Sequence, residues 1–89
     1  MEFEWDPEKA RTKETKHDVS FFEACEVFDD ELSSTVCDPD HSLGENRYLI
    51  FGISKVGTYL VVSYTDRNGR IRVISARPMT PRERRAYER

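Results

Sequence analysis

Between Arg47 and Arg77 three apolar-rich runs alternate with two turn signals, and that spacing suits antiparallel strands joined as a meander. The runs are Arg47–Ile53, Tyr59–Thr65 and Ile71–Arg77, and Val56-Gly57-Thr58 and Asp66-Arg67-Asn68-Gly69 separate them. Connections this short suit hairpins, whereas a parallel crossover needs a dozen residues or more. Asn-Gly is a strong hairpin signal, because both residues accept the positive φ that a type I′ turn demands. Along the middle run Leu60, Val62 and Tyr64 alternate with Tyr59, Val61, Ser63 and Thr65. One face is therefore apolar and must be covered, while the other turns polar towards its end. Strict alternation in the third run sets Arg70, Arg72, Ile74 and Ala76 against Ile71, Val73, Ser75 and Arg77, which sends arginines to both faces or to an open rim.

Helices are signalled on either side of these strands. Asp6-Pro7 combines a side-chain cap with a residue that has no amide to orphan, so a helix is expected from there to about Lys16 or His17. Ala10 is almost its only apolar residue, which keeps this helix at the surface. Ser20-Phe21-Phe22-Glu23 has the form of a capping box, and the apolar residues through Phe28 make the second helix a core element ended by Asp29-Asp30-Glu31. Phe3–Trp5 suits a first edge strand, and Leu32–Val36 a short strand before the loop Asp38–Gly44, where His41 is expected to be exposed. Thr80-Pro81-Arg82-Glu83 repeats the start signal for a terminal helix that runs to the chain end, carries Arg82, Arg84, Arg85 and Arg89, and is polar enough to fray alone or order against a partner. The expectation is an α+β domain over 1–89: a small antiparallel sheet of three to four main strands, two N-terminal helices and a short C-terminal helix.

Charge is distributed unevenly. Residues 1–43 hold 4 Lys/Arg against 13 Asp/Glu, and residues 44–89 hold 10 against 4. The halves therefore stand at −9 and +6, which fits either a polyanion-binding surface or acidic and basic faces that neutralise one another. Cys25 and Cys37 are too few for a disulfide scaffold, and no Cys or His spacing suggests a metal, so neither metal nor cofactor is expected. No apolar run approaches the roughly 20 residues of a membrane span, and Met1-Glu2-Phe3-Glu4 is unlike a basic leader. A cytoplasmic bacterial protein without membrane contact is the expectation.

Several phrases taken in order resemble the BrnT toxins. They are Phe3-Glu4-Trp5-Asp6 with Lys9-Ala10; Lys16-His17 with Val19-Ser20-Phe21 and Glu23-Ala24; Val27-Phe28-Asp29-Asp30; Gly44-Glu45 with Arg47; Val61-Val62; Arg70 to Arg77; and Thr80 with Arg82, Glu83 and Tyr87. The resemblance implies a RelE-like fold and an RNA-cleaving activity that halts translation. It also implies neutralisation by a BrnA-like antitoxin with a ribbon–helix–helix DNA-binding part, in a 2:2 heterotetramer that represses its own promoter. DNA would then be contacted only through the antitoxin. Two residues depart from the family's pattern: Lys13 stands where Asn is common, and Asp18 where Gly usually ends the first helix.

Metal-independent RNA cleavage needs a group to take the 2′-hydroxyl proton, positive charge on the phosphate and an acid for the 5′-oxygen. His17 is one of two histidines and a residue type that titrates near neutrality, although a histidine ending a helix also interacts with its dipole. Arg47, Arg72 and Arg77 join it as catalytic candidates, because guanidinium forks match phosphate oxygens. Lys9, Lys16, Arg67 and Tyr87 are candidates for holding RNA; Lys9 and Lys16 lie seven apart on one helix face, where a solvated pair is the plainer account. Glu45 is a possible base beside Arg47. Tyr64 and Trp5 are expected to pack. The same residues would also serve a non-catalytic RNA- or ribosome-binding module, or an inactive partner of a DNA-binding antitoxin.

Overall fold

A computed structural model of the protein describes residues 1–38, 40 and 44–88; His41, the rest of 39 and 41–43, and Arg89 lie outside the described residues. The elements are β1 (Glu2–Glu4), α1 (Pro7–His17), α2 (Phe21–Glu26) continuing as a 3-10 turn over Val27–Asp29, β2 (Ser34–Cys37), β3 (Arg47–Ile53), β4 (Tyr59–Arg67), β5 (Arg70–Pro78) and α3 (Pro81–Tyr87). The strands form one sheet in the order β1-β5-β4-β3-β2. The meander is as expected, with Asn68 at φ 54° and Gly69 at φ 84° closing the β4–β5 hairpin.

The sheet is mixed and five-stranded, not an antiparallel sheet of three to four main strands. The difference is β1, which runs parallel to β5 with Glu2, Phe3 and Glu4 opposite Arg70, Ile71 and Arg72. Nothing local to Glu2–Glu4 sets that direction. It follows from burying Phe3 against the core while Glu2 and Glu4 meet arginines at 3.1 and 2.8 Å.

One face of the sheet carries Ile50, Leu60, Val62, Val73 and Ala76, and Ala10, Val19, Phe21, Ala24 and Val27 cover it. Each fully buried aliphatic or aromatic side chain there contributes about 1.5–3 kcal/mol. Aromatic contacts close the edge: Phe28 lies 5.2 Å from Phe3 and 5.0 Å from Tyr64, and Trp5 meets Phe21 and Phe22 edge-on. As its composition requires, α1 buries only Ala10. It is held by the Asp6 cap and by Glu14, whose carboxylate accepts the Phe21 amide at 2.7 Å. Asp18 ends it in the left-handed conformation at φ 55°. At α2 only half of the expected capping box forms. Ser20 caps the Glu23 amide, but the Glu23 carboxylate instead accepts the Ser54 hydroxyl at 2.7 Å.

Strict alternation fails in β5. Ser63 pairs with Ser75 and Tyr64 with Val73, which leaves Ile74 as an extra residue. This bulge lets Val73 and Ala76, three apart, both enter the core. Its consequence is that Arg72, Ser75 and Arg77 share the outer face with their partners Thr65, Ser63 and Val61, so the arginines do not divide between the two faces.

The terminal helix, expected to fray alone or to order against a partner, is anchored on this chain's own residues. Its capping box is complete, and Glu83 receives both Arg77 Nη1 and Nη2 at 2.7 and 2.9 Å. That arginine holds the Glu83 carboxyl down at about 2. At the far end Tyr87 donates to Asp30 at 2.6 Å and lies edge-on to Tyr59, while Arg84 lies over the Tyr59 ring.

Candidate active site

At one end of the outer face the strand register aligns Arg47, Thr65, Arg72 and Glu4 in a single row across β3, β4, β5 and β1. Arg47 and Arg72 are two strand spacings apart, about 10 Å between Cα atoms, so two long side chains can converge on one phosphate. Arg67, two residues after Thr65 at the end of β4, adds a third guanidinium. Lys9 reaches the same place from the first turns of α1. These four cations line a cleft of about 120 Å³ together with Asp6 and Glu45, and Val73 and Ile74 complete its lining. The β5 bulge therefore forms part of its wall.

The arginines are oriented by carboxylates. Glu45 receives Nε and Nη2 of Arg67 at 3.0 and 2.9 Å, the same fork that a phosphate would take. Arg67 accordingly holds the Glu45 carboxyl below its ordinary range, which makes it a weaker proton acceptor. Arg72 Nη1 donates to Glu4 at 2.8 Å, and Asp6 is occupied in capping α1. Four cations against two lining carboxylates, with Glu4 beside them, leave the cleft cationic. The acidic and basic halves of the chain thus partly neutralise one another through Glu2–Arg70 and Glu4–Arg72 while preserving a local positive excess.

Of the eight residues singled out from sequence, Lys9, Arg47, Arg67 and Arg72 meet in this cleft. The other four do not line it. His17 ends α1 eight residues beyond Lys9, about 12 Å along the axis at the helical rise, with Lys16 exposed beside it. Arg77 is committed to Glu83. Tyr87 has its hydroxyl on Asp30, with its own ionisation pushed up to about 12 by burial and that carboxylate. Arg77 and Tyr87 serve the anchoring of α3, whose inner side, with Val36, Phe51, Ile53 and Tyr59, lines a second and broader groove. Trp5 and Tyr64 pack as expected. Sequence reasoning placed Glu45 beside Arg47 as a base and overlooked Asp6 as cleft wall and Glu4 as the partner of Arg72. The signal available for Glu4 was its alternation with Phe3. Among the described residues no group of three or more His, Cys, Asp or Glu is arranged to hold a metal ion, and no helix is long and apolar enough to cross a membrane.

Comparison with known proteins adds an independent finding. The sequence profile of the family described as "Ribonuclease toxin, BrnT, of type II toxin-antitoxin system" matches residues 5–83, a span that contains every lining residue of the cleft. Among solved structures, the crystal structure of the Brucella abortus ribonuclease toxin, BrnT, is similar with a TM-score of 0.67 and 25% identity, over 90% of this chain and 97% of that one. No curated protein matches the chain.

Proposed function

The chain belongs to the BrnT family of ribonuclease toxins of type II toxin–antitoxin systems, and from that premise we propose that it cleaves RNA at the Lys9, Arg47, Arg67 and Arg72 cleft without a metal ion. The observation that carries this reading is the convergence of three arginines from three strands and a lysine from α1 on one small cleft. In the reaction the 2′-hydroxyl gives up its proton and its oxygen bonds to the adjacent phosphorus as the bond to the 5′-oxygen breaks; the 5′-oxygen takes a proton from water, giving a 2′,3′-cyclic phosphate and a 5′-hydroxyl. The cleft's cations stabilise the charge that accumulates on the phosphoryl oxygens. A phosphate enters by displacing Glu4 from Arg72 and Glu45 from Arg67. The released Glu45 carboxylate, a lining residue of the cleft, is the group assigned as acceptor for the 2′-hydroxyl proton. An RNA strand continuing from Lys9 along α1 passes Lys16 and reaches His17, which places that imidazole beside a neighbouring nucleotide.

Cleavage of this kind halts translation until an antitoxin covers the toxin. In our reading that partner is BrnA-like, with a ribbon–helix–helix part that alone contacts DNA, and two copies of each chain form the complex.

The test incubates purified protein with a defined single-stranded RNA in excess EDTA, beside Arg47→Ala, Arg72→Ala and His17→Ala, and maps the fragment ends. Cyclic-phosphate ends that disappear in both arginine variants support the cleft. Binding of intact RNA without fragments, also in the presence of ribosomes, would favour a non-catalytic RNA-binding module instead.

A further inference from the structure

Thr65 stands in the middle of the Arg47–Thr65–Arg72–Glu4 row and is 1% exposed. Its Oγ1 is the one buried side-chain polar atom without a hydrogen-bond partner among the described residues. The buried hydroxyl of Ser54 shows the usual arrangement, donating to Glu23 at 2.7 Å and accepting the Thr58 amide at 3.2 Å. A hydroxyl sealed from solvent with no partner destabilises the fold, and valine has the same shape, suits a strand as well and avoids that cost. Folding alone therefore gives no reason for an oxygen here. Its surroundings do give one. Thr65 lies directly opposite Arg72, whose Nη1 faces away to Glu4 at 2.8 Å in the free chain. A guanidinium carries five N–H donors in a rigid plane, so when one edge changes partner the other edge is re-aimed with it.

Resting on the cleft reading above, we infer that Thr65 is a positioning residue of the ribonuclease site: its hydroxyl oxygen accepts an N–H of Arg72 when a substrate phosphate replaces Glu4 as that arginine's partner. The hydroxyl has no partner in the free chain because its partner comes into place only with RNA bound. The atom is too deeply covered to touch RNA itself, and it acts by fixing the plane of the arginine that does. A hydrogen bond to a charged group is sufficient to account for a tenfold to hundredfold effect.

The experiment compares wild type, Thr65→Val, Thr65→Ser and Arg72→Ala in three measurements: thermal unfolding, affinity for a 2′-deoxy-substituted, uncleavable oligonucleotide, and single-turnover cleavage of the matching RNA. Thr65→Val is expected to unfold about 4 °C or more above wild type, since an unpaired hydroxyl has been removed. It is also expected to cleave at least about tenfold more slowly, with a smaller change in affinity, while Thr65→Ser returns to within about threefold of wild type. A purely structural threonine would not gain stability while losing rate. A Thr65→Val protein that is less stable than wild type, or as active, overturns the inference, as does failure of serine to rescue. If Thr65→Val is fully active while Arg72→Ala is dead, the inference falls and the cleft stands. If Arg72→Ala is itself fully active, or wild type neither binds nor cuts RNA, the cleft reading falls and takes the role of Thr65 with it.

Discussion

Replacing Glu83 with Gln removes the charge that ties α3 to the sheet. The Glu83 carboxylate receives both Arg77 Nη atoms at 2.7 and 2.9 Å and the Thr80 amide at 2.9 Å, so one side chain completes the helix cap and joins the helix to β5. Its ionisation falls from an ordinary 4.5 to about 2, chiefly through the Arg77 hydrogen bonds, which at face value corresponds to about 3 kcal/mol. Solvent reaches 26% of the Glu83 side chain and 37% of Arg77, and screening reduces the contribution to about 1–2 kcal/mol. The sign follows from the lowered value. The folded chain holds the Glu83 proton less readily than the unfolded chain, so the stabilisation is fully present above pH 4.5 and is lost as pH falls through about 2. Urea unfolding of wild type and Glu83→Gln should therefore differ by about 1–2 kcal/mol at pH 7, which is a Tm difference of about 4–8 °C per kcal/mol, and the two should converge between pH 4.5 and 2. A difference that is absent at pH 7, or that stays constant down to pH 2, would refute the view that this ion pair anchors the helix.

Three further outcomes are expected. Glu45→Gln frees the Arg67 fork, so affinity for uncleavable single-stranded RNA should rise and its dependence on log salt should steepen by about 0.7, measured by fluorescence anisotropy; unchanged affinity would mean that Arg67 does not meet phosphate. Gly52→Ala places a Cβ 2.6 Å from Val27 Cγ1 and 3.2 Å from Asp30 Oδ2, so it should destabilise by about 1–3 kcal/mol in urea titration. Asp18→Gly relieves a side chain held at φ 55° and should raise stability by about 0.5 kcal/mol, read as a small upward shift in Tm.

In the proposed reading, the opposed arginines and glutamates also set how the cleft discriminates among anions. Both Arg67 and Arg72 already hold a carboxylate, so a weakly held monoanion gains little by entering. A polyanion that offers several phosphates at once exchanges all of these pairs together, and only such a ligand recovers the lost ion pairs in full. The compensation between the acidic and basic halves is thus spatial. Carboxylates from the N-terminal half, Glu2 and Glu4, are brought by β1 to arginines about 68 residues later in the chain.

The local elements were legible in the sequence because short-range chemistry sets them. Asp6-Pro7, Asn68-Gly69 and Thr80-Pro81 act through their own backbone neighbours, and alternation along Tyr59–Thr65 follows from the pleat. The basic residue types expected at the site, and the family resemblance, came from the sequence in the same way. What only the tertiary structure decided rests on contacts between distant segments. The parallel pairing of β1, the extra residue at Ile74, the capture of Glu23 by Ser54 and the anchoring of α3 each depend on a partner that no local pattern names. The bulge reshapes the sheet most, because one additional residue reverses the parity of β5, brings Arg72 and Arg77 to one face and sets Val73 and Ile74 together in the cleft wall. Sequence supplied the cationic side chains; long-range register brought Arg47, Arg67 and Arg72 to one cleft, since side-chain direction in a sheet is set by pairing across strands and not by the strand alone, and the packing of α1 added Lys9.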